Sequence, residues 1–183
     1  MTNSEVPVLE LQNLKMRYQS NTTWILDDFN LKIHAGKRLA LVGPSGCGKS
    51  TVAKVALQLL PLGSVCTGKI LINGKDPREV SPFQLRRLRG EEVGLVFQDP
   101  MTRLNPLMTI GDHLIDTLKA HHQSRNYRWY KQRSQELLAR VGIDPSRFDS
   151  FPHEFSGGMR QRVVIALAIA LQPVLIIADE PTT

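Results

Sequence analysis

The sequence predicts an α/β fold with an antiparallel β part near the N-terminus and a helical insertion before the last strand. Three observations predict it. Apolar and polar residues alternate in residues 9–12 and 29–33, which is typical of half-buried strands. An apolar run at residues 38–42 has strand length and leads directly into a glycine-rich loop and a helix. Residues 109–141 then show a helical pattern, and a second apolar strand follows at residues 174–178.

The composition is that of a folded globular chain. Its 183 residues suit one domain, for which about 100 to 200 residues are usual. The net charge of +6 suits phosphate-bearing ligands, anionic lipid or nucleic acid without choosing among them. Residues 125–133 interleave aromatic and basic side chains. For that segment a solvated helical face is favoured over a nucleic-acid surface.

The cysteines and the N-terminus indicate a cytosolic protein. Cys47 and Cys66 lack the spacing of metal ligands, and a disulfide at Cys47 would obstruct the glycine-rich loop, so a reducing compartment is expected. No secretory signal begins the chain. Residues 163–178 are nearly all apolar, but Gln172 and Pro173 interrupt them and they fall short of the roughly 20 residues of a membrane span. We therefore expect a buried helix followed by a buried strand.

The remaining elements follow in order. A helix is expected from Lys49 to about Leu60, and short strands are expected at residues 68–72 and 93–97. A parallel sheet needs strands on both sides of its phosphate-loop strand. Because the sequence stops at Thr183, we expect a fragment of a longer protein.

The glycine-rich loop, residues 43–50, matches the phosphate-binding pattern GxxxxGK[ST] between a strand and a helix. Its backbone N–H groups and the N-terminus of the following helix favour anions. We expect Lys49 to neutralise the β- and γ-phosphates of ATP and the Ser50 hydroxyl to bind Mg²⁺. The predicted nucleotide-binding residues here are Gly43, Pro44, Ser45, Gly46, Cys47, Gly48, Lys49, Ser50 and Thr51.

Two adjacent carboxylates, Asp179 and Glu180, end the last apolar strand. Phosphate-loop enzymes hold Mg²⁺ with an acid at a neighbouring strand end, so Asp179 is the predicted metal ligand. Glu180 is the predicted general base, accepting a proton from the attacking water. A turn with a solvated acid pair is the alternative, which the phosphate loop in the same chain disfavours.

Ser156, Gly157 and Gly158 open the long apolar helix as a second anion-binding terminus. The same residues also make an ordinary helix cap. Their position, one helix and one strand before the acid pair, is what favours a functional role.

These three elements, in this order, resemble the ATP-binding cassette (ABC) family. Residues 43–50 match its Walker A motif, residues 155–159 its signature, and residues 175–180 its Walker B motif. The signature departs from the common LSGGQ at Phe155 and Met159. The strings VFQDPMTRLNPLMTIGDHL and FPHEFSGGMRQR are similar to the importers of dipeptides, oligopeptides and nickel.

The resemblance implies a P-loop NTPase of ABC type, with a RecA-like core that lacks its C-terminal strands. It implies one incomplete nucleotide-binding domain over residues 1–183. Residues 1–98 and 160–183 would form the core with the β subdomain, and residues 99–159 the helical subdomain.

The resemblance also implies further site residues. Gln98 would contact Mg²⁺ and the attacking water, and Tyr18 would stack on adenine, with Trp24 as the alternative. A second set would bind the ATP of a partner subunit in a head-to-tail dimer. That set is Ser156, Gly157, Gly158 and Met159.

The implied partners are a second ABC ATPase subunit and membrane permease subunits, which place the chain at the cytoplasmic face of the membrane; no nucleic acid is expected. A soluble ABC protein acting on nucleic acid or ribosomes is the alternative, as is an ATP-binding remnant without turnover. The family's aspartate loop and switch histidine have no counterpart after Glu180. We therefore expect this chain as given to bind ATP but to hydrolyse it poorly.

Overall fold

The computed structural model describes residues 6–96 and 103–180, and it separates into two units that divide between Glu92 and Val93. Each unit is described by itself. Gln98 lies outside the described residues, so its predicted contacts stay predictions. The predicted division into a core and a helical subdomain at residues 99–159 also stays a prediction.

Unit 1 is built on a three-stranded antiparallel sheet in the order β2-β1-β3. Its strands are β1 (Leu9–Arg17), β2 (Leu26–Ile33) and β3 (Val65–Ile72). The antiparallel strands predicted from the alternating pattern are confirmed, although each is longer than its pattern. The sheet packs its apolar face into the core of the unit, where Ile70 and Ile72 are fully buried.

A β-bulge in β1 explains why its buried and exposed residues do not alternate regularly along the strand. Leu11 and Leu14 are both buried, which strict alternation forbids. The pairing with both neighbours shifts around Asn13, whose φ is 48°. The extra residue returns the apolar side chains to the core face. Gly68, at φ 94°, fits against the bulge because a Cβ there would lie 2.5 Å from the Asn13 carbonyl oxygen.

Unit 1 also contains the helices α1 (Lys49–Ala56) and α2 (Pro82–Arg87). Helix α1 ends four residues before the predicted Leu60. The reason is local, because Gln58 adopts a left-handed φ of 54° and Arg89 donates hydrogen bonds to the last carbonyl oxygens. The N-terminus of α2 is closed by a capping box between Ser81 and Gln84.

The strand predicted at residues 38–42 does not form. The segment has no regular structure, and Val42 is 93% exposed while Leu39 is 47% exposed. An apolar run becomes a strand only where a neighbour completes its hydrogen bonds, and no described strand pairs with this segment. The prediction of a strand at residues 38–42 is therefore wrong for this structure.

Among the residues that the structure describes, unit 2 contains a two-stranded parallel sheet and three α-helices. The strands β4 (Val93–Val96) and β5 (Leu175–Ala178) pair in register from Val93 with Leu175. Gly94 is required by the packing, since a Cβ there would lie 2.3 Å from the Ala168 carbonyl oxygen. The helices are α3 (Ile110–Lys119), α4 (Tyr127–Arg140) and α5 (Gly157–Ile169).

The segment with the helical pattern, residues 109–141, forms two helices, because a second N-terminal cap residue interrupts it. Thr109 forms a capping box with Asp112 at the start of α3, and the Asn126 side chain caps α4. The helices bury one apolar cluster with α5. Its members include Ile110, Leu114, Leu118, Tyr130, Leu137, Leu138, Phe148, Phe155, Val163 and Val164.

The last strand is half-buried, which corrects the prediction of a buried strand. Leu175 is buried, but Ile176 is 48% exposed. Among the described residues β5 pairs with β4 in a two-stranded sheet, and the face of that sheet that carries Ile176 stays open. The predicted helix before it is confirmed as α5. Within residues 6–96 and 103–180, every helix is too short or too polar to cross a bilayer.

Candidate functional site

The phosphate loop has the backbone that its glycines predict. Gly46 and Gly48 adopt left-handed φ values of 79° and 100°, which side chains with a Cβ rarely accept. The Cys47 N–H donates to the Pro44 carbonyl oxygen at 3.4 Å and tightens the turn. A Cβ on Gly43 would lie 2.8 Å from the Cys47 sulfur. The loop is therefore a narrow ring of backbone.

Lys49 is folded back into this ring. Its ammonium nitrogen donates to the carbonyl oxygens of Gly43 at 2.9 Å and Pro44 at 2.8 Å. The ammonium is thus held against the first two residues of the loop. Phosphate oxygens are stronger acceptors than carbonyl oxygens, since charge-assisted hydrogen bonds are roughly twice as strong as neutral ones.

The N-terminus of α1 carries no side-chain cap. Gly48 occupies the cap position, and the first turn contains no acidic residue. The unsatisfied N–H groups of a helix start, together with the helix dipole, make a positive end. Ser50 and Thr51 lie in this turn, and the Thr51 side chain is buried. Backbone amides at such a helix start suit a phosphate.

Tyr18 lies beside this helix, whereas Trp24 is engaged elsewhere. The Tyr18 hydroxyl is 3.4 Å from the Thr51 hydroxyl, which joins it to the phosphate-loop helix. The Arg17 guanidinium lies 5.5 Å from the Trp24 ring centroid and covers that ring. The contact with Thr51 favours Tyr18 as the aromatic at the site, and its adenine-stacking role stays a prediction.

The acid pair lies at the carboxyl end of the parallel sheet. The Asp179 N–H donates to the Val96 carbonyl oxygen at 2.9 Å and extends the pairing of β5 with β4. Asp179 is half-buried, while Glu180 is exposed and adopts a left-handed φ of 47°. Ligands of α/β sheets bind outside the carboxyl ends of the strands, which is where these carboxylates lie.

The helix start predicted at Ser156 is confirmed as the start of α5, and its anion-binding role stays a prediction. The Ser156 hydroxyl accepts a hydrogen bond from the Met159 N–H at 3.3 Å. Gly157 and Gly158 are exposed, and a Cβ on either would meet no atom of the other described residues within 4 Å beyond its chain neighbours and its own helix backbone. Packing within this chain therefore does not explain why both positions are glycine.

The turn before Ser156 is held by several contacts. Arg160 donates from Nε to the Pro152 carbonyl oxygen at 2.8 Å, and the Glu154 carboxylate accepts from the Phe151 N–H at 2.6 Å. Phe155 is only 2% exposed and anchors the turn in the apolar cluster. The orientation of the α5 start is fixed by the chain itself.

The structure thus collects the predicted residues in two places. Unit 1 brings together Tyr18, Thr51 and the phosphate loop. Unit 2 carries the acid pair and the start of α5. The described residues hold no group of three or more His, Cys, Asp or Glu suited to a metal ion. Hydroxyl and carboxylate oxygens, as in Ser50 and Asp179, are the donor type that Mg²⁺ takes alongside substrate phosphates.

The family of the chain follows from comparison with known proteins. The ABC transporter family matches residues 26–183, which include the phosphate loop, the start of α5 and the acid pair. The chain belongs to this family.

Two curated relatives are transport proteins of Bacillus subtilis (strain 168). The oligopeptide transport ATP-binding protein OppD is 42% identical over 96% of this chain and 51% of its own length. The dipeptide transport ATP-binding protein DppD is 41% identical over 96% of this chain and 54% of its own length. The chain thus spans about half the length of the curated relatives it matches.

Solved structures of ABC cassettes share the fold. The dimeric ATP-binding cassette MJ0796, in a post-hydrolysis state bound to ADP and Pi, matches 95% of this chain and 74% of its own with a TM-score of 0.82 and 28% identity. CbiO1 from Clostridium perfringens, part of the ABC transporter complex cbiONQ, matches 96% of this chain and 66% of its own with a TM-score of 0.77. The predicted α/β fold of ABC type is confirmed.

Proposed function

We propose that this chain is the nucleotide-binding part of an ABC importer for peptides, and that it binds and hydrolyses ATP to energise transport. One observation carries the proposal. Lys49 lies inside a ring of backbone beside an uncapped helix start, a combination that suits a phosphate chain. The relatives OppD and DppD are 42% and 41% identical over 96% of this chain and are named for peptide transport.

Each residue has a chemical role in this proposal. The amides of the phosphate loop and α1 bind the β- and γ-phosphates, and Lys49 exchanges its two carbonyl acceptors for phosphate oxygens. Ser50 and Asp179 would hold Mg²⁺, with Gln98 as a further ligand; the ion supplies charge neutralisation on the phosphates. Glu180 accepts the proton of the attacking water.

The exposed glycines of α5 support a composite site with a second subunit. Gly157 and Gly158 leave the start of α5 bare, so that a ligand from outside the chain can approach its amides. The solved relative MJ0796 is dimeric and holds ADP and Pi. In this chain the ligand would be the ATP of the partner subunit, with Ser156 and Met159 completing the site.

The remaining partners are permease subunits, which would hold the protein at the cytoplasmic face of the membrane. Peptides are the favoured cargo. Nickel, the other substrate of the resembling importers, has no support in the names of OppD and DppD. Both relatives are transport proteins, which disfavours action on nucleic acid or ribosomes.

The acid pair offers the sharpest test. Glu180→Gln removes the base and keeps the shape of the side chain, so ATP binding should stay within about twofold while phosphate release by the assembled transporter falls by about a hundredfold or more. Uptake of a labelled dipeptide through the assembled transporter should fall in parallel. Glu79→Gln, an exposed glutamate of unit 1, is the control. Unchanged phosphate release in Glu180→Gln would refute the catalytic assignment.

A further inference from the structure

Arg147 contacts the turn that leads into Ser156. It lies in the short 3₁₀ helix Pro145–Asp149. Its terminal Nη2 donates to the Glu154 carbonyl oxygen at 3.0 Å, and its guanidinium carbon lies 5.0 Å from the centroid of the Phe155 ring. Glu154 and Phe155 immediately precede the cap of α5. One side chain therefore holds both a carbonyl and a ring at the entrance to that helix.

The opposite side of the same turn is held from within α5. Arg160 donates from Nε to the Pro152 carbonyl oxygen at 2.8 Å. Arg147 reaches the turn from the preceding segment, and Phe155 between them is 2% exposed. With its ring buried and two of its carbonyls bonded, the turn has little freedom to change the direction of the α5 start.

Stability alone does not explain Arg147. Its Nε–H is buried and finds no hydrogen-bond acceptor among the described residues. Buried donors without a partner are rare in native proteins because they cost stability. Arg147 also lines a groove of about 660 Å³ together with Ser156, Gly158 and Met159. Arg147 and the start of α5 thus border the same groove.

We propose that Arg147 is a positioning residue for the nucleotide site that Ser156 to Met159 would present to a partner's ATP. It acts through the backbone, by holding the Glu154 carbonyl and the Phe155 ring so that the amides of the first turn of α5 point into the groove. Its charge adds to the positive helix end. The inference rests on the proposed composite site.

The test separates ATP binding by one subunit from the pairing of two subunits. Arg147→Met keeps the aliphatic stem but loses the planar donors and the charge, and Arg147→Lys keeps the charge without the planar donors. Both are made in the Glu180→Gln background, so that ATP is not consumed. Arg140→Met, at an exposed arginine in the last turn of α4, is the matched control.

Two quantities are measured for each variant in the full-length protein. ATP affinity of the dilute subunit, by fluorescent-nucleotide titration, should stay within about twofold because the phosphate loop lies in unit 1. The ATP concentration that drives self-association, by light scattering, should rise by about tenfold in Arg147→Met, as expected for losing one charged hydrogen bond. Arg147→Lys should show a smaller rise, and Arg140→Met none.

Three results would overturn the inference. If Arg147→Met self-associates at the same ATP concentration as the Glu180→Gln parent, Arg147 has no positioning role. If Arg147→Met does not fold, the same conclusion follows from Arg147→Lys self-associating at the parent's ATP concentration. An equal loss of ATP affinity and pairing would mean a general structural role. If the Glu180→Gln parent itself does not pair with ATP, the proposed composite site fails together with this inference.

Discussion

Individual glycines in this chain serve opposite purposes, and the space around each one shows which. Gly111 lies in α3 against Phe148, where a Cβ would come within 2.4 Å of the ring. Gly157 opens α5, and an added Cβ there would meet no described residue within 4 Å outside its own helix turn. The first glycine is needed by the fold, and the second is free for a ligand.

Gly111→Ala should therefore destabilise the protein. The Phe148 ring is 3% exposed, so it has no open space to move into, and overpacking of this kind costs about 1–3 kcal/mol. Chemical denaturation followed by circular dichroism measures the change. An unfolding free energy equal to that of the wild type would mean that the helix and the ring separate without cost.

Gly157→Ala should leave stability nearly unchanged and weaken subunit pairing instead. The added methyl group meets open space, so the unfolding free energy should stay within about 0.5 kcal/mol of wild type. The ATP concentration needed for subunit pairing should rise by about tenfold, as for a lost contact of about 1.4 kcal/mol. Normal pairing by Gly157→Ala would contradict a close approach of ATP to α5. Gly111→Ala is the matched contrast.

The pair Asp76 and Arg78 makes stability depend on pH. Arg78 donates from Nε to the Asp76 carboxylate at 2.9 Å, and this hydrogen bond holds the pKa of Asp76 below its usual range. A lowered carboxyl pKa in the folded state stabilises the protein above the unfolded pKa of about 3.9, and this contribution is lost as pH falls through the folded pKa.

Asp76→Asn should lower the unfolding free energy at pH 7 by about 1–2 kcal/mol, because a charged hydrogen bond is lost from a side chain that is 11% exposed. The gap between variant and wild type should close as pH falls through the lowered folded-state pKa of Asp76, where the wild-type carboxyl is itself protonated. Urea denaturation across this pH range measures it, with Glu79→Gln as an exposed neighbouring control. A gap that persists at low pH would assign the effect to packing.

At the scale of elements, the end of α1 depends on a residue far along the chain. Arg89 donates to the carbonyl oxygens of Leu57 at 2.8 Å and Gln58 at 2.7 Å, at the end of the helix whose start faces the phosphate loop. A cation at a helix C-terminus satisfies open carbonyls and offsets the negative dipole end. Arg89 therefore holds α1 at the end that lies away from the glycine-rich loop.

Arg89→Met should loosen this helix. Losing two charged hydrogen bonds predicts a fall of about 2 kcal/mol in the unfolding free energy, together with weaker ATP binding. Arg86→Met, at an exposed arginine of α2, should change neither quantity. Hydrogen exchange of the α1 amides measures the loosening directly. Protection of α1 that equals wild type would contradict the role of Arg89.

The sequence reveals elements whose signals are local and misses those set by distant partners. The phosphate loop and the caps at Thr109 and Ser156 follow from residues within one turn. The end of α1 depends on Arg89, more than thirty positions away in the chain. Residues 38–42 have the composition of a strand but no described partner strand, and local pattern cannot supply that partner. The contact between Arg147 and Phe155 could not be predicted either, because the spacing of these two residues in the sequence does not indicate that they meet.

At the scale of the whole molecule, ligand binding should be coupled to folding. A ligand that binds the folded chain and not the unfolded one stabilises it according to its concentration relative to Kd, by about 2.7 kcal/mol at a hundredfold excess. MgATP in that excess should therefore raise the thermal midpoint of unfolding, and sodium sulfate at equal ionic strength should not reproduce the shift.

Lys49→Ala should remove most of this stabilisation, because the ammonium that the Gly43 and Pro44 carbonyl oxygens now hold is the cation that a phosphate would meet. Lys54→Ala, at an exposed lysine in the last turn of α1, should keep the full shift. Differential scanning calorimetry at several ATP concentrations gives the apparent Kd of each variant. An ATP-dependent shift in Lys49→Ala as large as in Lys54→Ala would show that the nucleotide binds without the phosphate loop.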